Sequence, residues 1–190
     1  MRVLLILASY LFGSITPARF VGKIKNVDLT NQGTRNPGAT NVYRVVGPKW
    51  GVAVGLLDLF KGIIPPLTAR LVFDSNPYVL AMVGLGVVAG HNWPVYYGFA
   101  GGRGLATSLG TLASFHFWLI FFSFALTLLV VLMLMKYFKI VIRIPFVLYP
   151  LFILMNRIFL QDEFLLHYAL LLMVMAFFRA WQVHRKRSTE

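Results

Sequence analysis

Apolar positions in this chain do not recur at intervals; they run on. Uninterrupted stretches lie near 3–20, 51–73, 78–99, 104–115, 117–135, 144–159 and 164–181, separated by short polar blocks. A helix needs roughly 20 apolar residues to cross the hydrocarbon core of a bilayer, and several of these runs approach that length. The pattern predicts an all-α polytopic membrane protein with about seven transmembrane helices, folded as one integral-membrane domain over residues 1–190. No segment reads as an independent soluble domain, and no internal repeat is evident. Residues 104–135 form one continuous run, and "ASFHFW" (113–118) is its single polar-tinged place to turn, so one span or two stays open there. The opening "MRVLLILASYLFGSITPARF" places an apolar run after a basic residue, as a signal peptide does, but shows no small-x-small cleavage site. It reads as a retained first span.

Composition agrees with that architecture. The chain is 58% hydrophobic and only 13% charged, against about a quarter in soluble domains. There is no cysteine, which excludes disulfides and thiolate metal sites. A net charge of +12 would suggest nucleic acid in a soluble protein. In a membrane protein it is first the cytoplasmic excess of Lys and Arg. With the first loop inside, 14 of the 18 basic residues collect on the cytoplasmic face, leaving Arg2, Arg70 and Arg157 opposite and Lys61 within a span. The expected orientation is therefore N-terminus outside and C-terminus cytoplasmic, with the bilayer and no nucleic acid as partner. An anionic substrate would pull the charge the same way.

Three polar blocks stand out against this background. "QGTRNPGATNVYR" (32–44) combines Gly33, Gly38, Asn36 and Asn41, which permit tight turns and positive φ, with the hydroxyls of Thr34 and Thr40 and the charges of Arg35 and Arg44. That combination suits a phosphate. "LLDLFKG" places Asp58 and Lys61 three apart on one helical face within an apolar stretch, where they can pair. Each charge costs about 2.5–3.5 kcal/mol at mid-membrane, so they are expected to lock spans together or to orient site residues from behind. "GHNWPVYYGFAGGRGLATSLG" (90–110) has Gly101, Gly102 and Gly104 around Arg103, a stretch able to turn successive N–H groups toward an anion, and His91 is the plausible general base of the block. "GLGVVA" (84–89) matches a dinucleotide-binding fingerprint but sits inside an apolar span; Gly86 and Gly90 read instead as a small-xxx-small packing face. His116 and His167 stand alone on apolar runs and read as interfacial or packed.

In their order and spacing, "YLFGSITPARFVGK", "GTRNPGATNVYRVVG", "LLDLFKG" and "GHNWPVYYGFAGGRGLAT" resemble the bacterial acyl-phosphate:glycerol-3-phosphate acyltransferases, the PlsY family, across roughly the first 110 residues. The resemblance implies a seven-span enzyme of the bacterial inner membrane whose polar motifs gather on the cytoplasmic side. It implies transfer of a fatty acyl group from acyl phosphate to the 1-hydroxyl of glycerol 3-phosphate, giving lysophosphatidic acid and phosphate at the start of phospholipid synthesis. No cofactor and no metal are expected, and an enzyme producing acyl phosphate is the implied partner. Catalytic candidates are His91, Arg103 and Arg44. Substrate-binding candidates are Thr34, Asn36, Gly38, Thr40, Asn41, Gly101, Gly102, Gly104 and Thr107, with Asp58 and Lys61 behind them.

The chain departs from the family pattern in four places. Gly-Ser-Gly-Asn becomes Gly33-Thr34-Arg35-Asn36, and Gly-Gly-Lys-Gly becomes Gly101-Gly102-Arg103-Gly104. The third cytoplasmic loop, "KYFKIVIRIP" (136–145), has no serine or glycine, and the tail keeps Arg179 but follows it with "AWQV" instead of an Arg-His-x-x-Asn pattern. The departures in the third loop and tail leave as an alternative an impaired homologue that binds lipid precursors or assists an active copy, and the intramembrane charges leave a small-anion transporter as another.

Overall fold

The computed structural model describes residues 1–73, 76–115 and 162–188, and everything described is helix or loop. The elements are α1 (Arg2–Gly13), α2 (Pro17–Ile24), α3 (Ala39–Val45), α4 (Pro48–Val72), α5 (Pro77–Asn92), a 3-10 turn (Val95–Tyr97), α6 (Leu105–Ala113) and α7 (Glu163–Ser188). Among the described residues, four helical stretches are long and apolar enough to cross a membrane: 2–24, 48–72, 77–97 and 163–183. Most of the 104–135 run, the 136–145 loop and His116 lie outside the described residues.

Burial is inverted relative to a water-soluble fold. Leu4, Leu7, Leu56, Phe60, Leu71 and Phe177 project outward, whereas Ser14, Thr16, Asn41, Asp58, Lys61, His91 and Asn92 are buried. Lipid is as apolar as leucine, so outward apolar side chains cost nothing there and polar groups turn inward to find partners.

Small residues let the helices approach until backbones touch. At the α1–α5 crossing, a Cβ on Gly86 would meet Ser9 and the Ile6 carbonyl, and one on Gly90 would meet the Tyr10 carbonyl. Gly86 and Gly90 are thus a packing face, as their spacing predicts. α4 and α6 meet the same way, Gly62 against the Thr107 carbonyl and Gly110 against the Leu59 carbonyl. Gly110→Val is expected to force these helices apart at a cost of about 1–3 kcal/mol. A lower melting temperature in detergent would show it; an unchanged one would mean the crossing is looser than described.

The first apolar run is not one helix. It breaks at 14–16 because Pro17, at the first position of α2, has no N–H to continue the ladder of α1. The Ser14 hydroxyl donates back to the Tyr10 carbonyl (2.9 Å), and the Ile15 carbonyl turns toward α4. The span expected over 3–20 is therefore a helix, a corner and a second short helix.

Candidate active site

Beyond the break, loop 25–38 folds back over the ends of α3 and α4. Asn41 holds it there. Its amide donates to the Leu29 carbonyl (2.8 Å) and the Gln32 carbonyl (3.0 Å), while its Oδ1 accepts from the Thr34 N–H (2.6 Å). Expected from sequence to touch substrate, Asn41 is instead fully buried and committed to the loop. Asn41→Ala is expected to cost about 1–3 kcal/mol, because buried carbonyls and an N–H lose their partners. Hydrogen exchange over residues 29–36 would speed up; protection equal to the parent would exclude a bracing role. At the outer end of the loop, the Thr30 hydroxyl and N–H bond to Asp28 and hold its carboxyl below the usual carboxylate range.

The second polar loop runs from Trp93 to Gly104. The Tyr10 hydroxyl donates to the Trp93 carbonyl (2.7 Å), fixing the end of α5 against α1. Two arginines then pin the loop by its carbonyls. Arg19 donates to Ala100 (3.0 Å), and Arg179 to Phe99 (3.3 Å), Gly101 (3.2 Å) and Gly102 (3.4 Å). Arg179 also bonds to Gln182, which accepts from the Trp93 indole N–H at 3.0 Å. Sequence reasoning credited Arg179 only as the remnant of a tail motif. The carbonyl staple was legible only in the exposed backbone of a glycine-rich loop, which needs donors from elsewhere.

Behind both loops lies a buried cluster. The Lys61 Nζ sits 3.2 Å from Asp58 Oδ1, 2.8 Å from the Ile15 carbonyl and 3.0 Å from His91 Nδ1. An ammonium has three donors and no acceptor, so these three neighbours saturate it. His91 Nδ1 also lies 3.3 Å from Asp58 Oδ1, so this ring nitrogen is held by both members of the ion pair. The Nε2 edge rests against Gly102, where a Cβ would strike the ring. A carboxylate, an ammonium and an imidazole thereby join α4 and α5 to the corner between α1 and α2. The ion pair of Asp58 and Lys61 thus ties helices together, with the helix break as an additional anchor.

In front of the cluster opens a cavity of about 460 Å3. Its walls include Gly33, Thr34, Asn36, Gly38 and Thr40 from the first loop, Arg44 from α3, Asp58 and His91 from the buried cluster, and Arg103 and Gly104 from the second loop. Arg44 and Arg103, 59 positions apart in the chain, converge on this one hollow. Leu105 and Ala106 also line it, so the first turn of α6, where helical N–H groups are unpaired, borders the same space. Asn92 is fully buried beside Gly104, and neither its Oδ1 nor its Nδ2 has a hydrogen-bond partner among the described residues. The helix start was readable in "GGRGLAT", where glycines give way to an apolar run, but its part in the wall was not anticipated.

Four sequence candidates stand outside that wall. Asn41 braces the first loop. Gly102 gives its N–H to the His91 carbonyl (3.1 Å), and Gly101 lines a different hollow, so the anion nest expected over 101–104 narrows to Arg103, Gly104 and the start of α6. Thr107 is fully buried in the α4–α6 contact. His167 is exposed on α7, with its Nδ1 against the Glu163 carbonyl. What remains suits an anion: two guanidiniums, several backbone and hydroxyl donors, and a mostly apolar surround.

Residues 3–188 match the family model described as glycerol-3-phosphate acyltransferase. A glycerol-3-phosphate acyltransferase of Aquifex aeolicus is 50% identical over 106 residues, which are 56% of this chain and 55% of that one. One from Halalkalibacterium halodurans is 46% identical over 113 residues, 58% and 55% of the two chains. The chain thus aligns to about half the length of these curated relatives. The crystal structure of PlsY, an integral membrane glycerol 3-phosphate acyltransferase, in its glycerol 3-phosphate form superposes with a TM-score of 0.85 and 34% identity, covering 99% of this chain and 92% of that one. Its lysophosphatidic acid form gives 0.82 and 33% over the same coverage. With the family model matched along nearly its whole length and a solved member superposing on it, this chain belongs to the glycerol-3-phosphate acyltransferase family.

Proposed function

We propose that the protein transfers a fatty acyl group from acyl phosphate to the 1-hydroxyl of glycerol 3-phosphate. The observation that carries this reading is the convergence of Arg44 and Arg103 on one glycine-walled cavity. Both substrates bear a phosphate. Arg44 with the 36–40 wall would hold one, and Arg103 with Gly104 and the start of α6 the other. Phosphate is already a good leaving group on the mixed anhydride, so the reaction demands no covalent enzyme intermediate. The glycerol oxygen attacks the acyl carbon, the carbon–oxygen bond to phosphate breaks, and the departing dianion is stabilised by the guanidiniums. Catalysis is then alignment of two bound anions plus stabilisation of the charge that develops.

The sequence candidate for general base is revised in this scheme. His91 Nδ1 is taken up by Lys61 (3.0 Å) and Asp58 (3.3 Å), and its Nε2 edge packs against Gly102, so the ring is held in place from both sides. The hydroxyl proton passes to a phosphate oxygen of the substrate, which lies close enough once the two anions are aligned. The acyl chain would extend between helices into lipid-like surroundings. In the same reading the chain makes seven spans in the bacterial inner membrane with its N-terminus outside, which puts both polar loops on the cytoplasmic face. An enzyme that makes acyl phosphate would supply the donor.

Purified protein in detergent, given acyl phosphate and labelled glycerol 3-phosphate, is expected to form labelled lysophosphatidic acid, and to form none with acyl-CoA. Failure with both donors would leave the binding-homologue alternative in its place, and turnover with acyl-CoA alone would refute the proposed donor.

A further inference from the structure

The same two loops wall a second hollow on their other side. It measures about 380 Å3 and is lined by Arg19, Arg35 and Arg179 with Thr30, Asn31 and the 98–101 backbone. The loops alternate between the two spaces: Thr34 and Asn36 line the first, Arg35 and Pro37 the second. Three guanidiniums border this hollow, and no Asp or Glu does among the described residues. Asp28, beside the lining residue Thr30, has its oxygens engaged by the Thr30 hydroxyl (2.6 Å) and N–H (2.9 Å) and by the Asn31 amide (2.7 Å), and its charge also acts on Arg19.

The backbone at Arg35 gives an independent sign. Its φ of 51° lies in the left-handed region, which a side chain occupies at a cost and glycine does not. Glycine is the residue that the family pattern places here, so this chain keeps the glycine conformation and adds a guanidinium. Arg19 meanwhile has its Nε buried without a hydrogen-bond partner among the described residues, while its Nη2 holds Ala100. Arg179 fixes the opposite wall through Phe99 and Gly101. Guanidinium groups bordering one hollow offer the planar forks that a phosphate dianion accepts in bidentate bonds.

The geometry points to a second phosphate-binding site formed by Arg19, Arg35 and Arg179, separated from the reaction cavity by the two polar loops and taking a phosphomonoester or phosphate dianion. It lies one loop thickness from Arg44 and Arg103. A phosphate bound there would brace both shared walls. Occupancy can come from a soluble phosphate or from the headgroup of an anionic lipid.

Arg35→Gly is the informative substitution, because glycine suits the φ of 51° and the fold is relieved, not damaged. Its melting temperature in detergent is expected to equal or exceed that of the parent. Equilibrium binding of inorganic phosphate should show a second-site equivalent beside the first-cavity phosphate that Arg44→Ala loses. Arg35→Gly should weaken this second-site equivalent about tenfold to a hundredfold, the effect of one lost bond to a charged group. In parallel, nanodiscs of phosphatidylcholine with and without phosphatidic acid ask whether the second equivalent is a lipid phosphate. An Arg35-dependent equivalent that appears only with phosphatidic acid assigns it to lipid, and one that appears with inorganic phosphate assigns it to the soluble ion. If Arg35→Gly matches the parent in both arms, the site does not exist. If Arg35→Gly loses an equivalent while Arg44→Ala loses none, the second site stands and the first-cavity reading falls.

Discussion

Arg44→Ala is expected to lower kcat/KM for acyl transfer about 10²- to 10³-fold, the usual effect of removing one fixed donor from a developing oxyanion. The guanidinium projects from α3, a short helix positioned by the Asn41 brace one turn earlier, so its aim is set by the backbone. Arg103→Ala should cost a similar factor, since both side chains line the cavity from opposite loops. Arg103→Lys keeps the charge but loses the planar fork. It is expected to retain most activity, because lysine is the family's residue at that position. The separation of these effects matters more than their size. If Arg44→Ala turned over like the parent, the cavity would not be where the phosphates sit.

The largest effect on stability is expected at Asp58. Asp58, Lys61 and His91 are only 3–5% exposed and hold one another between helices. Asp58→Ala leaves the Lys61 ammonium without its carboxylate, a change that costs about 3–5 kcal/mol when one partner of a buried pair is removed. Thermal unfolding in detergent should show it as a drop of about 10 °C for a chain of this size. Asp58→Leu combined with Lys61→Met removes both charges and is expected to be less destabilised than Asp58→Ala. A double variant worse than the single would mean that the Lys61 bond to Ile15 outweighs the ion pair. Activity should fall in both, because Asp58 and Lys61 together hold the His91 ring that lines the cavity.

The residues of the cavity were legible in the sequence because their chemistry is costly in a membrane. Glycine, asparagine and arginine clustered at 32–44 and 101–104 have no reason to interrupt apolar runs unless they serve a polar task, and Arg44, Arg103, Thr34, Asn36 and Gly104 do meet at one hollow. The Gly86 and Gly90 face was readable for the same reason, since small residues spaced four apart in lipid serve close packing. The roles within the loops were not legible. Asn41 and Arg44 share a motif, yet one bonds backward to its loop and the other lines the cavity; their spacing does not distinguish these fates. Nor could the sequence show that Pro17 frees a carbonyl for Lys61, because the partners are 46 positions apart. The Arg179 staple spans 77 positions to Gly102 and depends on where α7 docks.

The central claim is that Arg44 and Arg103 grip substrate phosphates in one shared cavity. A structure of the protein with glycerol 3-phosphate and a non-hydrolysable acyl phosphonate tests it most directly. Phosphorus density between the two guanidiniums, with the glycerol 1-hydroxyl directed at the acyl carbon, is the predicted result. Both phosphorus atoms lying outside this cavity, with Arg44 and Arg103 contacting neither, would contradict it.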